Sequence, residues 1–261
     1  MKKILIATFG SLGDLHPKIA LALELKRRGY AVSVAAMDLY REKIEGIGLR
    51  FFPMAPHLEM EDRELAKDLM DINKGPENMM KMVLLPHLRE MYDDLVRAAE
   101  GADLMITGEV VLVGKSVAEK TGIPRISTSL MPLTMFSAYD PNVYPTAPWY
   151  ETFHFMPAFF HDLLFRFMQG TVSSWFEPYR EFRQSIGLDP GDDPVFRGKY
   201  SELLHLAMFS RVLGRPQPDW PPQTVQTGFC FYDGQDETGA MPDGLEEFLE
   251  GRVPPIVFTL G

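Results

Sequence analysis

The sequence K-I-L-I-A-T-F at residues 3–9 runs directly into G-S-L-G-D-L-H-P at residues 10–17. A short run of apolar and β-branched residues that ends at a glycine is typical of a strand buried on both faces. Pro17 suits the first turn of a helix, and we expect that helix to end at the basic residues before Gly29. Residues 30–36 predict a second strand. Strand, glycine loop, helix and strand in this order form one βαβ unit of a parallel sheet.

The same alternation continues along the chain. Further strands are predicted at 49–52, 103–107 and 123–127, and further helices at 79–99 and 113–121. Strands that alternate with helices predict an α/β fold, a doubly wound, mainly parallel Rossmann-like sheet. Residues 56–78 carry many charges and little periodicity, so we expect a long loop there.

The composition excludes several classes of protein. Hydrophobic residues make up 46% and charged residues 24% of the 261 residues, as in globular proteins. The net charge of −10 argues against nucleic acid as a partner, because phosphate binding needs a basic surface. Cys230 is the only cysteine, and no histidines have metal-ligand spacing, so no metal is expected. No apolar run reaches the roughly 18–20 residues of a membrane span. We therefore expect a cytoplasmic protein.

The segment after the first strand is the first candidate site, because open α/β sheets bind ligands at the carboxyl ends of their strands. Gly10 and Gly13 let backbone N–H groups approach a ligand, and the start of a helix favours an anion. Asp14 and His16 are the ionisable side chains there, and either could accept a proton from a substrate hydroxyl. The alternative is that Asp14 caps the helix and His16 is a surface residue.

Two other nucleotide-binding patterns compete with this interpretation. Asp38 follows the second strand, where a dinucleotide-binding fold places the acid that holds the ribose, but the G-x-G-x-x-G spacing is absent. An NAD(P)-dependent oxidoreductase therefore stays open as an alternative. Gly114-Lys115-Ser116 resembles the end of a phosphate-binding loop. We reject that interpretation because Gly108 is one residue too far away and residues 110–113 are apolar.

Residues 153–182 predict two amphipathic helices that are rich in Phe and Met. The first apolar row is Phe155, Phe159, Leu163 and Phe167, with Met156, Phe160, Leu164 and Met168 beside it. The second is Val172, Trp175, Phe176, Tyr179 and Phe182. These rows suit an apolar ligand or a peripheral contact with a membrane surface. The alternative is ordinary packing onto the sheet.

Four stretches together resemble one family. They are T-F-G-S-L-G-D-L-H-P at 8–17, V-A-E-K-T-G-I-P at 117–124, P-D-W-P-P-Q-T-V-Q-T-G-F at 218–229 and P-P-I-V-F-T-L-G at 254–261. In this order they resemble the GT-B glycosyltransferases of the family 1/28 type, which includes sterol glucosyltransferases and rhamnosyltransferases. The resemblance spans the whole chain.

The resemblance implies a reaction and a division of labour between two domains. It implies inverting transfer of a hexose from a nucleotide-diphosphate sugar, UDP- or dTDP-linked, to a hydroxyl of a lipid, sterol or small natural product, with no cofactor. Residues 1–230 would form the N-terminal acceptor-binding domain. Residues 231–261 would be the linker and first strand of a C-terminal donor domain that is otherwise missing, so this chain alone should be inactive. The alternative is a non-catalytic domain that binds an apolar ligand or a partner protein.

The resemblance also implies roles for individual residues. Asp14 would be the general base, with His16 as the second candidate. Gly10, Ser11 and Gly13 would border the donor diphosphate and the acceptor. Glu109 would support the base as a second acid. For Glu109, the alternative is an exposed acid in the first turn of the next helix.

Overall fold

The computed structural model of the chain describes residues 1–57, 63–143, 147–191, 193–234, 244–251 and 254–256. The strands in these ranges are β1 (Lys3–Ala7), β2 (Ala31–Ala36), β3 (Arg50–Pro53), β4 (Leu104–Thr107), β5 (Arg125–Ser129), β6 (His205–Ala207) and β7 (Thr224–Gln226). All pair in parallel in one sheet of order β3-β2-β1-β4-β5-β6-β7. The predicted α/β, Rossmann-like fold is confirmed.

Helices connect the strands. The α-helices are α1 (Leu12–Arg27), α2 (Arg41–Gly46), α3 (Arg63–Leu69), α4 (Gly75–Asn78), α5 (Leu88–Ala99), α6 (Gly114–Thr121), α7 (Ala158–Val172), α8 (Glu177–Ser185) and α9 (Leu245–Leu249). Short 3₁₀ turns lie at Asp38–Tyr40, Leu85–His87, Pro132–Met135, Pro148–Phe153 and Ser173–Phe176, and a π-helical turn at Met79–Leu84. Within the described ranges, no helix combines the length and apolar composition that crossing a membrane requires.

The strand order places a topological switch point between β1 and β4. After β1 the chain adds β2 and β3 on one side, and it then returns to place β4 on the other side of β1. Ala7 pairs with Thr107 at the carboxyl ends, and the Gly108 N–H donates to the Ala7 carbonyl at 2.8 Å. Connections that diverge from neighbouring strands leave a crevice, where sheets of this kind bind ligands. The segments after Ala7 and after Thr107 therefore meet at one edge of the sheet.

Helix α1 packs against the sheet through a buried row on one side. Leu15, Ile19 and Ala22 have no exposed surface, as expected for apolar residues at helical spacing. The helix begins at Leu12 and not in the turn around Pro17 as predicted, because the Ser11 hydroxyl accepts the Gly13 N–H and caps an earlier turn. Asp14 and His16 thus lie inside the helix.

Some local predictions were wrong. Part of the predicted loop at 56–78 forms α3 and α4, while residues 58–62 lie outside the described part of the chain. The predicted helix at 79–99 is interrupted by π and 3₁₀ turns around Pro86 before α5 begins. Strands β6 and β7 were not predicted, because three residues are too few to show a period.

The chain forms two compact units, Met1–Phe231 and Tyr232–Gly261. The second contains α9. Residues 257–261 of the strand predicted in this unit lie outside the described residues. The assignment of this unit to a donor domain stays a prediction.

Candidate active site

Ser11 and Asp14 hydrogen-bond to each other in the first turn of α1. The Gly13 N–H donates to Ser11 Oγ at 3.2 Å, and the Ser11 N–H donates to Asp14 Oδ2 at 2.9 Å. The Ser11 hydroxyl donates to the same carboxylate oxygen at 3.3 Å. Ser11, rather than Asp14, is therefore the cap residue, and Asp14 closes a capping box from the third helical position. In this structure the N–H groups of Ser11 and Gly13 are engaged within the loop itself.

Gly10 makes room for the Asp14 carboxylate. Its φ is +123°, and a Cβ atom at this position would lie only 2.3 Å from Asp14 Oδ2. The Tyr40 hydroxyl donates to the Gly10 carbonyl at 2.9 Å and so holds the turn from the opposite side. Both the backbone conformation and the close approach require glycine at position 10.

Asp14 is a weaker acid than an ordinary aspartate. Burial raises its pKa, while the hydrogen bonds from Ser11 and the charge of Lys18 lower it; the charge of Glu109 raises it further. The net result is a raised pKa. A carboxylate with a raised pKa is a better proton acceptor at neutral pH, which is the property a general base needs.

Glu109 lies in the segment after β4 and is held firmly. Its carboxylate accepts hydrogen bonds from Ser129 Oγ at 2.6 Å and from Lys199 Nζ at 3.1 Å. Burial by itself raises the pKa of Glu109, but Lys199 and the hydroxyl donors more than offset it, so the pKa lies below its usual value. Helix α6 begins only at Gly114, so Glu109 is not an exposed acid in its first turn. Within the described structure, no hydrogen bond joins Glu109 to Asp14; the two interact through charge.

Sequence reasoning missed two lysines at this site. Lys199 pairs with Glu109 across 90 residues of chain, and no sequence signal connects the two. Lys18 lies on α1 one turn after Asp14 and has no exposed surface. The sequence did mark Lys18, because this residue interrupts the apolar row between Leu15 and Ile19. A lysine at a core position of an amphipathic helix is unusual enough to mark a site.

His16 lies on α1, half-buried, two residues after Asp14. Side chains two residues apart on a helix point in different directions. The structure therefore does not bring His16 and Asp14 together to act on one proton.

An apolar cavity of about 390 Å³ lies between the helices that follow β5 and the segment around Met80, which precedes β4. Its lining includes Met80, Phe136, Phe165, Met168, Trp175 and Phe196. Phe136 also lines a second cavity of about 370 Å³ beside it. Lys199 Nζ lies 5.0 Å from the centre of the Phe136 ring, so Phe136 stands between the Glu109–Lys199 pair and the apolar cavity. Its φ of +51° is rare for an aromatic residue, as found at sites that hold a side chain in a set position.

The two predicted apolar rows differ in burial. In the first row, Phe155, Phe159, Leu163 and Phe167 are 82%, 73%, 66% and 68% exposed. Packing onto the sheet is therefore wrong for this row. In the second row, Phe176, Tyr179 and Phe182 are buried, and Phe182 packs against Tyr92 of α5, so this row contacts a helix inside the domain.

Asp38 and Lys115, from the two competing nucleotide-binding patterns, lie next to oppositely charged side chains. Asp38 accepts a hydrogen bond from Arg41 at 2.6 Å, three residues further along the chain. Lys115 lies within α6, 3.9 Å from Glu119. Within the described ranges, no three His, Cys, Asp or Glu side chains are grouped so that they could hold a metal ion.

Three relatives of this chain are longer than it is. It is 30% identical over 275 residues to O-mycaminosyltylonolide 6-deoxyallosyltransferase of Streptomyces fradiae, covering 99% of this chain and 61% of that protein. It is 28% identical over 266 residues to glycosyltransferase GtfE of Amycolatopsis orientalis, covering 99% and 60%. It is 27% identical over 234 residues to the sterol 3-beta-glucosyltransferase of Debaryomyces hansenii, covering 87% and 14%. The chain thus spans about three fifths or less of the length of these relatives.

Solved structures with the same fold include spinosyn forosaminyltransferase SpnP, with a TM-score of 0.54 and 16% identity, covering 94% of this chain and 54% of that one. Glycosyltransferase SnogD of Streptomyces nogalater gives a TM-score of 0.53 and 16% identity, covering 93% and 54%. The model of the glycosyltransferase family 28 N-terminal domain matches residues 4–139, which is more than half of the chain. The chain therefore belongs to the family of glycosyltransferase family 28 N-terminal domains.

Proposed function

We propose that this chain is the acceptor-binding half of an inverting glycosyltransferase. The complete enzyme would move a hexose from a UDP- or dTDP-linked donor to a hydroxyl group of an apolar acceptor, with no cofactor. Membership of the family supports the reaction class. The observation that carries the proposal is the Asp14 carboxylate, which stands at the switch point of the sheet with a raised pKa.

The proposed step is a single displacement. The acceptor oxygen attacks the anomeric carbon, and its proton passes to the Asp14 carboxylate. The bond from that carbon to the diphosphate oxygen breaks, and the diphosphate leaves with the electron pair, which inverts the configuration. A carboxylate is far less basic than an alkoxide, so the proton must be lost in the transition state and not before it. Burial of Asp14 assists because it raises the basicity of the carboxylate.

Other residues of the loop would complete this site. Gly10, Ser11 and Gly13 would border the donor diphosphate and the acceptor. Glu109 would support the base through its fixed negative charge, which raises the pKa of Asp14 further. His16 stays the second candidate for the base.

The donor would bind to a second domain of the complete protein. The relatives named above are longer than this chain by a large margin, which supports a second half in each of them. One structure similar to this chain, SsfS6 of Streptomyces sp. SF2575, is a complex with thymidine diphosphate, with a TM-score of 0.50 and 20% identity over 91% of this chain and 55% of that one. We therefore expect no sugar transfer by the 261-residue chain alone.

The apolar part of the acceptor would occupy the cavity beside Phe136. Its volume of about 390 Å³ lies in the range of small-molecule sites, and its lining is mostly aromatic and methionine side chains. An acceptor held there would reach past Phe136 towards Lys199 and Glu109.

The exposed row on α7 supports peripheral contact with a membrane surface, where an apolar acceptor would be found. Met168 and Phe165 of the same helix line the cavity. One helix would thus join the membrane surface to the acceptor site.

The cavity also supports the alternative of a non-catalytic domain that binds an apolar ligand. The two functions make different predictions for Asp14. A transferase needs the carboxylate, whereas a ligand-binding domain needs only the cavity.

The test is sugar transfer by the complete protein and its Asp14→Asn variant. A panel of UDP- and dTDP-sugars would be combined with sterol and hydroxy-fatty-acid acceptors. We expect Asp14→Asn to lower the rate by about 10²–10⁴-fold, the usual range for a lost general base. Asparagine keeps an oxygen that can accept the Ser11 N–H, so the helix start should survive.

Asp38→Asn is the matched control, because Asp38 is exposed and paired with Arg41 outside the site. An unchanged rate in Asp14→Asn would assign the base to His16 or elsewhere. Absence of transfer with every donor and acceptor pair, together with an apolar ligand bound to the purified protein, would favour the non-catalytic function.

A further inference from the structure

Lys18 is the most deeply buried charge near the proposed base. It lies on α1 among the buried Leu15, Pro17 and Ile19 and has no exposed surface. An ammonium group carries three hydrogen-bond donors. Within the described part of the chain, Lys18 makes one hydrogen bond, to the thioether sulfur of Met208 at 3.8 Å. A thioether is a weak acceptor, so hydrogen bonding does not explain why a lysine is kept here.

Charge offers an explanation. The groups that interact with Lys18 come from three further elements besides α1. Asp14 is on α1 itself, Glu109 follows β4, His205 is on β6 and Cys230 follows β7. Burial lowers the pKa of Lys18 to about 8, and the charges of Glu109 and Asp14 limit that fall. The Lys18 ammonium is therefore mostly protonated at neutral pH.

The site thus holds two carboxylates and two ammonium groups. Glu109 has Lys199 as its direct partner at 3.1 Å. For Asp14 the nearby cation is Lys18, which lies one helical turn further along the same helix. Side chains at that spacing are neighbours on the helix surface. Two carboxylates that interact in a partly buried site raise each other's pKa, and one of them takes up a proton unless a cation intervenes. Tyr40 also faces Asp14, but it is neutral and cannot take that role.

We propose that Lys18 is a positioning residue for the base, whose buried ammonium keeps Asp14 ionised beside the fixed negative charge of Glu109. The inference rests on the proposed function of Asp14, but the ionisation itself is a property of this chain. Without Lys18, the pKa of the proposed base would be higher still, and the rate would fall at the acid side of its pH profile.

A purely structural role predicts a different outcome. If Lys18 only filled space or held Met208, its replacement by methionine would leave the titration of Asp14 unchanged. If it supplies charge, Lys18→Met removes a cation that interacts with both Asp14 and Glu109, whereas the similar length of methionine preserves the packing. The titration of Asp14 should then move upward.

The experiment is an NMR titration of the Asp14 carboxyl carbon in the 261-residue chain and in Lys18→Met. We expect the variant to raise the midpoint of Asp14 by about one pH unit or more, the usual effect of losing an adjacent opposite charge. Lys26→Met is the control, since Lys26 is exposed two turns further along α1 and donates to the Gly48 carbonyl. An unchanged Asp14 midpoint in folded Lys18→Met would overturn the proposal.

The unmodified chain supplies a second test that does not depend on how the variant folds. As Lys18 loses its proton near pH 8, the Asp14 carboxyl carbon should show a second, smaller inflection. Its absence while the Lys18 side-chain signal titrates would also overturn the proposal. Neither readout needs enzymatic activity, so failure of the proposed reaction is recognised separately. In an active complete enzyme, Lys18→Met should move the acid limb of the rate profile to higher pH.

Discussion

The Lys199 ammonium donates to the Glu109 carboxylate at 3.1 Å, and their side chains are only 5% and 17% exposed. Glu109 follows β4, whereas Lys199 comes just before β6. Lys199 also donates to the Thr134 carbonyl. This pair ties the segment after β4 to two parts of the connection between β5 and β6, at the edge where we place the reaction.

We expect Lys199→Met to destabilise the chain by about 3 kcal/mol, because it leaves a buried carboxylate without its cation. The double variant Lys199→Met/Glu109→Gln should recover part of that loss, since no charge is then left unpaired. Urea unfolding of the unmodified chain, the single variants Lys199→Met and Glu109→Gln, and the double variant measures this coupling. Additive losses in the double variant would show that the pair contributes no specific interaction.

A second prediction concerns Gly10. Gly10→Ala would place a methyl group against the Asp14 carboxylate in addition to straining the backbone. Gly29→Ala is a matched control, because Gly29 also has a positive φ, of +87°, but no atom of the described residues lies within 4 Å of the point where its Cβ would stand. Both variants should lose about 1–2 kcal/mol of stability from the strained backbone. Only Gly10→Ala should displace Asp14 and lower the rate of the complete enzyme. Equal rates in the two variants would contradict a role for this close approach.

The third prediction is a loss of stability in acid that depends on His205. This side chain is fully buried, and its Nδ1 lies 2.8 Å from Ser127 Oγ. Nε2 has no hydrogen-bond partner among the described residues. Burial, together with the charge of Lys199, lowers the pKa of His205 to about 3.

The unfolded chain, with an ordinary histidine pKa near 6.5, binds this proton more readily than the folded chain does. Stability should therefore be complete above about pH 6.5 and fall by up to about 1.4 kcal/mol per pH unit as the pH drops towards 3. His205→Asn should remove most of this slope, which denaturant midpoints measured between pH 4 and 7 would show. The same slope in the variant would assign the effect to other groups.

The sequence predicted the parts of this structure that local patterns determine. The βαβ unit at 3–36 was recognisable because its apolar runs, glycines and charged helix end all lie within a few residues of one another. Asp14 was found because it follows the first strand. Lys199 was not, because its partner Glu109 lies 90 residues away and nothing local marks Lys199. Lys18 carried a local signal, a charge within an apolar row, but its meaning depends on Glu109 and His205, which only the fold brings near.

A fourth prediction tests the apolar cavity. Met168 lies at its rim and is 38% exposed, so Met168→Glu places a carboxylate where an apolar ligand would enter. Desolvation of that charge should weaken binding of a sterol probe at least about tenfold. Trp175 lines the cavity, so its fluorescence reports binding directly. Phe167→Glu is the control on the neighbouring, exposed position of α7. Equal affinities in the two variants would show that the probe binds elsewhere.

The last prediction separates the two apolar surfaces of α7. Phe159→Ser/Phe167→Ser removes two large apolar groups from the exposed row, and neither side chain contributes to the buried core. We expect unchanged thermal stability and unchanged sterol-probe binding, because the cavity lies on the other side of the helix. Co-sedimentation with phosphatidylcholine vesicles should fall, since each inserted phenylalanine contributes about 1.5–3 kcal/mol of apolar burial. Vesicles of neutral lipid are the suitable probe, because a chain with a net charge of −10 gains nothing from an anionic surface.

If the unmodified chain does not sediment with vesicles, or the double variant sediments equally well, the exposed row does not bind membranes. Concentration-dependent self-association that the double variant abolishes would then assign the row to contact between copies of the chain.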